Sequence, residues 1–362
     1  MDLHACFAPT YALARGGFLQ RAEREDARLH TALHSLRGRE GEELAIDVAD
    51  LSRPGDRRAV VVASGTHGVE GLLGSGAQSA LLEQAVAGAL PEGVGLVLVH
   101  AHNPHGFSWL RRVNEDNIDL NRNFADFGGT LEVNPDYAEV HPALVPADWD
   151  GPAREAADAW IAAYKEERGM RAFQAACCRG QHDHADGLFF GGRAASWTRQ
   201  TLERRLPDWL GRFEHVALID LHSGLGPSGV GELIYAHAPE GPEHQRLVDW
   251  HGAAEVTSVL AGDSVSPPVQ GTIDVAYRSA LGSERFTGVV IEFGTLEREQ
   301  VFGALRADNW LHAFGDLQSP AAVDIKRAIR DAFYVDDDDW RTQVWERVHQ
   351  VVLRTAAGLA GR

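Results

Sequence analysis

The stretch that most constrains the fold is 58–83. Arg58-Ala59-Val60-Val61-Val62-Ala63-Ser64 is a short apolar, β-branched run that stops at Gly65. Such a run reads as a strand buried on both faces, as in a parallel or mixed sheet. Gly65-Thr66-His67-Gly68-Val69-Glu70-Gly71 follows, and then 72–83 with helical apolar spacing. A strand that passes into a helix through a glycine-rich turn is where open α/β sheets place ligand sites. His67 and Glu70 sit on that crossing. An imidazole and a carboxylate three residues apart can bind one divalent cation, and a catalytic zinc takes three such ligands plus a water. A turn histidine beside a helix-start glutamate, favoured there by the helix dipole, would give the same two residues. The pair therefore needs partners elsewhere in the chain.

The rest of the chain repeats the strand and helix alternation. Strands are expected at 43–49, 93–100, 215–221, 231–236 and 288–293. Helices are expected at 11–36, from 72 to about 89, through most of 134–214 and over the last 60 residues. Length permits one large α/β domain. The pattern implies a three-layer α/β/α sandwich with a mixed, mostly parallel sheet. Residues 1–362 read as one domain, with 130–214 as a helical insertion.

Charge and cysteine usage exclude several classes. There are 52 acidic against 34 basic residues, a net charge of −18. That argues against nucleic acid, whose phosphates need a basic face, and against an anionic membrane surface. No apolar run approaches the length of a membrane span. The N-terminus lacks a basic start and a long apolar core, so no signal peptide is expected. Cys6 stands alone and Cys177 and Cys178 are adjacent. An odd set of this kind reads as reduced thiols, which points to the cytoplasm.

Downstream pieces supply the missing partners. His222 ends the apolar run Val216-Ala217-Leu218-Ile219-Asp220-Leu221, again at a strand end. A zinc-bound histidine commonly gives its other N–H to a carboxylate, and Asp220 or Asp119 can serve. Arg111 and Arg112 precede Asp119-Leu120-Asn121-Arg122-Asn123-Phe124. An Arg beside an Asn can hold a substrate carboxylate through a fork plus an amide donor. A second Arg near a metal can stabilise an oxyanion, although paired Arg and Asp on a surface give the same letters. Glu292 ends the apolar run Val289-Val290-Ile291. A carboxylate buried there without a purpose costs several kcal/mol. A raised pKa would suit it to take a proton from water and pass it to a leaving amine.

Together, His67-x-x-Glu70, Arg112, Asp119-x-Asn121-Arg122-Asn123-Phe124, Asp220-x-His222-Ser223 and Glu292 resemble the zinc carboxypeptidase family. That family also contains the aspartoacylase and succinylglutamate desuccinylase deacylases. The resemblance covers about 60–300, in family order. Ser64–Gly71 and Gly187-Leu188-Phe189-Phe190-Gly191-Gly192 look like a bacterial branch of it without an assigned substrate. The resemblance implies one zinc held by His67, Glu70 and His222, with Glu292 as general base and acid. It implies that Asn121 and Arg122 bind a terminal carboxylate, and that Arg112 or Arg111 polarises the scissile carbonyl. Asp119 would stand behind His67, and Tyr277 would close the pocket. The reaction implied is hydrolysis of an amide next to a free carboxylate, on a small peptide or an N-acyl amino acid. A carboxypeptidase, a deacylase of small N-acyl amino acids and an inactive zinc-binding protein all fit this set. Presence of Glu292 and Arg112 weighs against the last.

Other motifs are absent or incomplete. HExxH, a nucleophile elbow, a Walker loop and a dinucleotide fingerprint are missing. His100-Ala101-His102 and His182-Asp183-His184 look like pieces of dinuclear hydrolase sites. Each lacks a nearby third and fourth ligand and reads as loop histidine.

Overall fold

The computed structural model describes residues 2–131 and 133–362. Among the described residues, eight strands form one sheet: β1 (Arg28–Arg37), β2 (Glu43–Asp50), β3 (Arg58–Ala63), β4 (Val94–His100), β5 (His215–Ser228), β6 (Gly231–Tyr235), β7 (Val256–Ser258) and β8 (Phe286–Gly294). Their order across the sheet is β1-β2-β4-β3-β5-β8-β6-β7. Four pairings are parallel: β3 with β4, β3 with β5, β5 with β8 and β6 with β7. β1 with β2, β2 with β4, and β6 with β8 are antiparallel. The sheet is therefore mixed and mostly parallel.

The helices run α1 (Tyr11–Arg24), α2 (Gly71–Glu83), α3 (Val86–Ala89), α4 (Pro104–Ser108), α5 (Pro135–Leu144), α6 (Pro152–Arg168), α7 (Met170–Cys178), α8 (Trp197–Leu210), α9 (Pro242–His251), α10 (Asp274–Leu281), α11 (Arg298–Ala313), α12 (Pro320–Phe333) and α13 (Asp338–Ala360). Alternation along the strands decides which helices cover which face. Val60, Val62, Ala217 and Ile219 pack with α1, α2, α9 and α13. Val61, Ala63, Val216 and Leu218 pack with α8 and α10. Asp220 and His222 continue the second series, so they project from the face that carries α8 and α10. A further apolar cluster joins α5, α6 and α7 to α11 and α12. It stands beside the strand ends where β3, β5 and β8 stop.

One segment departs from expectation. Residues 11–36 do not form one helix: α1 ends at Arg24 and β1 begins at Arg28. Asp26 takes a left-handed backbone (φ 52°), which a helix cannot continue through. Leu29, Leu33 and Leu36 keep helical spacing, but β1 is the edge of the sheet, and Leu33 and Leu36 lie exposed on it. Ladder pairing with β2, from Arg28 opposite Asp50, decided the conformation. The short strand β7 was not foreseen. No helix among the described residues is long and apolar enough to cross a membrane.

Candidate metal centre

The turn after β3 is shaped by two glycines. Gly65 takes φ +64°, and a Cβ on Gly68 would lie 2.1 Å from the Gly106 carbonyl carbon. Backbone from α4 fills that space, so only glycine lets the turn lie flat. The turn then presents His67 and Glu70 toward His222, midway along β5, which runs on to Ser228 rather than stopping near Leu221. His67 Nδ1 is 2.9 Å from Glu70 Oε1, His222 Nδ1 is 3.1 Å from Glu70 Oε2, and the two Nδ1 atoms are 3.2 Å apart. The two imidazole nitrogens and the two Glu70 oxygens thus cluster with neighbouring distances near 3 Å. Ligands on a tetrahedral zinc with bonds near 2.0 Å stand about 3.3 Å apart. The imidazole planes cross at 70°, so both rings can point at one centre. All three side chains are buried. The donor set, two imidazoles and a carboxylate, is one that zinc takes.

Burial opposes charge on Glu70, but the adjacent His67 and His222 hold its carboxyl well below the usual range. Burial likewise opposes charge on His222, yet Asp220 and Glu70 hold its imidazolium well above the usual range. Buried carboxylates thus draw positive charge to this point, which is the electrostatic demand a cation meets. Glu292 faces His222 directly across β5 and β8. Burial and the charge of Glu70 push its carboxyl up to about 8. Its Oε1 accepts the Leu225 N–H at 2.9 Å.

One cavity contains most of the expected residues. His67, Glu70, Arg112, Asn121, Arg122, His222 and Glu292 all line it. Arg112 Nε donates to Asp119 Oδ2 at 2.9 Å, and Nη1 reaches Glu70 Oε1 at 3.5 Å. Asp119 Oδ1 lies 3.5 Å from His67 Nε2 and so stands behind that ring. Arg111 turns the other way, to Asn117 Oδ1 at 2.8 Å and Asp308 Oδ2 at 3.4 Å. Arg122 gives N–H groups to the Cys178 and Asn121 carbonyls, three of its five donors. Asn121 Oδ1 accepts the Ile273 N–H at 2.9 Å, which leaves its amide nitrogen as donor.

Tyr277 is not at the cavity. It lies fully buried on α10, and its hydroxyl meets His102 Nε2 at 2.8 Å. The expectation that it closes the pocket is corrected: α10 packs under the sheet face, below the site rather than over it.

Sequence reasoning missed the cavity's outer wall. Phe189 lies beneath both arginines, 5.3 Å from the Arg112 guanidinium carbon and 5.6 Å from that of Arg122. It holds a left-handed backbone (φ 52°), a strained state for a bulky residue that marks functional sites. The Gly187–Gly192 patch was the signal. Met170, Phe173 and Phe302 also line the cavity. On the opposite side, Ile234 and Val290 sit opposite each other on β6 and β8, with Ala236 and Val259 further along.

A second cluster, His141, His184 and Asp186, also gathers possible ligand atoms. Its imidazoles are stacked, with centroids 4.1 Å apart and planes at 28°. Lone pairs in near-parallel planes do not converge on one ion, so this cluster differs in kind from the first.

A family model described as "Protein of unknown function (DUF2817)" matches residues 7–347. No curated protein matches the chain. Among solved structures, bovine thrombin-activatable fibrinolysis inhibitor, in complex with tick carboxypeptidase inhibitor, is similar with TM-score 0.54 and 11% identity. The match covers 97% of this chain and 97% of that one. Carboxypeptidase A from Helicoverpa armigera gives TM-score 0.48 and 12% identity over 89% of this chain and 73% of that one. The first likeness shows that the fold is carboxypeptidase-like.

Proposed function

Because the chain belongs to the DUF2817 family, whose description assigns no activity, we propose a function from the site itself: zinc-dependent hydrolysis of an amide bond next to a free carboxylate, as in a carboxypeptidase. The observation that carries the reading is the pairing of roles across β5 and β8. A metal-type triangle of His67, Glu70 and His222 faces a separate buried carboxyl, Glu292, in one cavity with two arginines.

A zinc ion bound there would supply Lewis acidity, polarising a carbonyl and easing ionisation of water. The remaining work belongs to side chains. Glu292, oriented by the Leu225 N–H, takes the proton of the attacking water and hands it to the leaving amine. Arg112 is fixed through Nε by Asp119, and its terminal N–H groups donate to the carbonyl oxygen as charge builds on it. Arg122 keeps two donors beyond those given to carbonyls. With the Asn121 amide they receive the substrate carboxylate. The aliphatic side of the cavity, Ile234, Ala236, Val259 and Val290, suits an apolar side chain on the substrate.

We read the chain as one catalytic domain in which 130–214 builds the outer wall through Met170, Phe173 and Phe189. The three thiols are unbridged, which suits the cytoplasm. Mass-spectrometric turnover of dipeptides, longer peptides and N-acyl amino acids by the zinc-loaded protein tests the reading. Loss of one C-terminal residue is expected. Release of acyl groups alone would make the protein a deacylase, and no turnover of any member would contradict the proposal.

A further inference from the structure

We propose that His102 and Tyr277 are positioning residues for His222, acting through Thr66 and Asp220 along one directed chain of hydrogen bonds. The inference rests on the reading of His222 as a metal ligand.

The links are short and buried. His222 Nε2 lies 2.8 Å from Asp220 Oδ2. Thr66 Oγ1 lies 3.0 and 2.9 Å from the two Asp220 oxygens. His102 Nδ1 lies 2.9 Å from Thr66 Oγ1, and His102 Nε2 lies 2.8 Å from the Tyr277 hydroxyl. Asp220, His222, Thr66, His102 and Tyr277 are all buried. The chain thus ties the middle of β5, the turn after β3, the loop after β4 and α10 to one imidazole.

Proton counting gives the chain a single direction. The Asp220 carboxylate has only acceptors. The one hydroxyl hydrogen of Thr66 must therefore go to Asp220, because lone pairs would otherwise face the carboxylate. Thr66 then accepts from His102, so Nδ1 of His102 carries hydrogen. Burial pushes the His102 imidazole down to about 4, so the ring is neutral and its Nε2 is bare. That nitrogen accepts from the Tyr277 hydroxyl, whose pKa burial and Asp220 raise well above the usual range. The reverse direction would leave the buried Tyr277 hydrogen without an acceptor and set Thr66 against Asp220. At the near end, His222 Nε2 donates to Asp220. That leaves Nδ1, the nitrogen that faces His67 and Glu70, as the one a metal would take. Tyr277 and His102 thus reach the ligand by fixing its tautomer and ring orientation, a role that outer hydrogen bonds fill at metal sites.

The test measures zinc affinity by competition with a chromogenic chelator, alongside thermal stability, for wild type and four variants. Thr66→Val keeps the shape and deletes the hydroxyl; affinity is expected to fall about 10- to 100-fold. Tyr277→Phe and His102→Phe act from further out and are expected to lose about 3- to 10-fold. Thr66→Ser restores the hydroxyl and is expected to bind within about two-fold of wild type. A purely structural role would lower stability and leave affinity unchanged. Equal affinity in all variants overturns the inference. Should Thr66→Val fail to fold, Tyr277→Phe decides alone. Wild type that fails to bind zinc would instead overturn the ligand reading beneath it.

Discussion

His222 Nδ1 stands 3.2 Å from His67 Nδ1, with the two rings crossed at 70°. Two imidazole nitrogens this close share either a proton or a cation, and the Glu70 carboxylate beside both favours the cation. One zinc per chain is therefore expected by elemental analysis. Glu70→Ala and His222→Ala should each hold less than about a tenth of it under the same dialysis. His184→Ala, in the stacked pair, should keep the full amount. A second equivalent lost with His184 would contradict the argument from ring geometry.

Arg111 and Arg112 are neighbours in sequence and point to opposite surroundings. Arg112→Ala should lower kcat by about 10²- to 10³-fold, as loss of one oxyanion donor does. Arg111→Ala should leave kcat near wild type and lower stability by roughly 1–3 kcal/mol, because its buried bonds to Asn117 and Asp308 are lost. Steady-state kinetics and thermal melts on both variants separate the two. An exchange of phenotypes would reverse the assignment.

Gly68→Ala tests the turn. The added Cβ would lie 2.1 and 2.3 Å from backbone atoms of Gly106 and Phe107, which cannot move aside as a flexible side chain can. Overpacking of this kind costs about 1–3 kcal/mol, and the displaced His67 and Glu70 should weaken zinc binding. Gly88 has open space around it, so Gly88→Ala should change neither stability nor zinc affinity for the worse. Equal effects at both positions would remove the special status of the turn.

Acid sensitivity should come from buried neutral histidines. Burial pushes His100 and His251 down to about 4 and His312 down to about 3. Their unfolded values lie near 6.5, so the unfolded chain binds more protons than the folded one between these limits. Stability is then full above about pH 7 and declines as pH falls from 6.5 toward 4. Chemical denaturation across pH 4–8 should show this slope. A midpoint that stays level down to pH 4 would contradict it.

The parts legible in sequence were those fixed by short-range pattern. His67 and Glu70 share one turn, and Asp220 and His222 share one strand face. Glu292 is an acid in an apolar strand. What escaped was decided by packing between distant elements. Whether Arg111 or Arg112 enters the cavity depends on Asp308, supplied by α11. Tyr277 falls away from the cavity because α10 packs against α8 and β8, which no spacing to Glu292 reports. His102 looked like a loop histidine because its partners, Thr66 and Tyr277, lie 36 and 175 residues away. β1 kept helical leucine spacing while its ladder with β2 made it a strand.

Glu292→Gln is the most direct test of the central claim that this is a metal-dependent amide hydrolase with Glu292 moving the proton. The amide keeps the shape and the bond from Leu225 but cannot accept the proton. Turnover of a short peptide panel by the zinc-loaded variant, followed by mass spectrometry beside wild type, is expected to fall by at least about 10²-fold with one zinc still bound. Turnover equal to wild type would contradict the account.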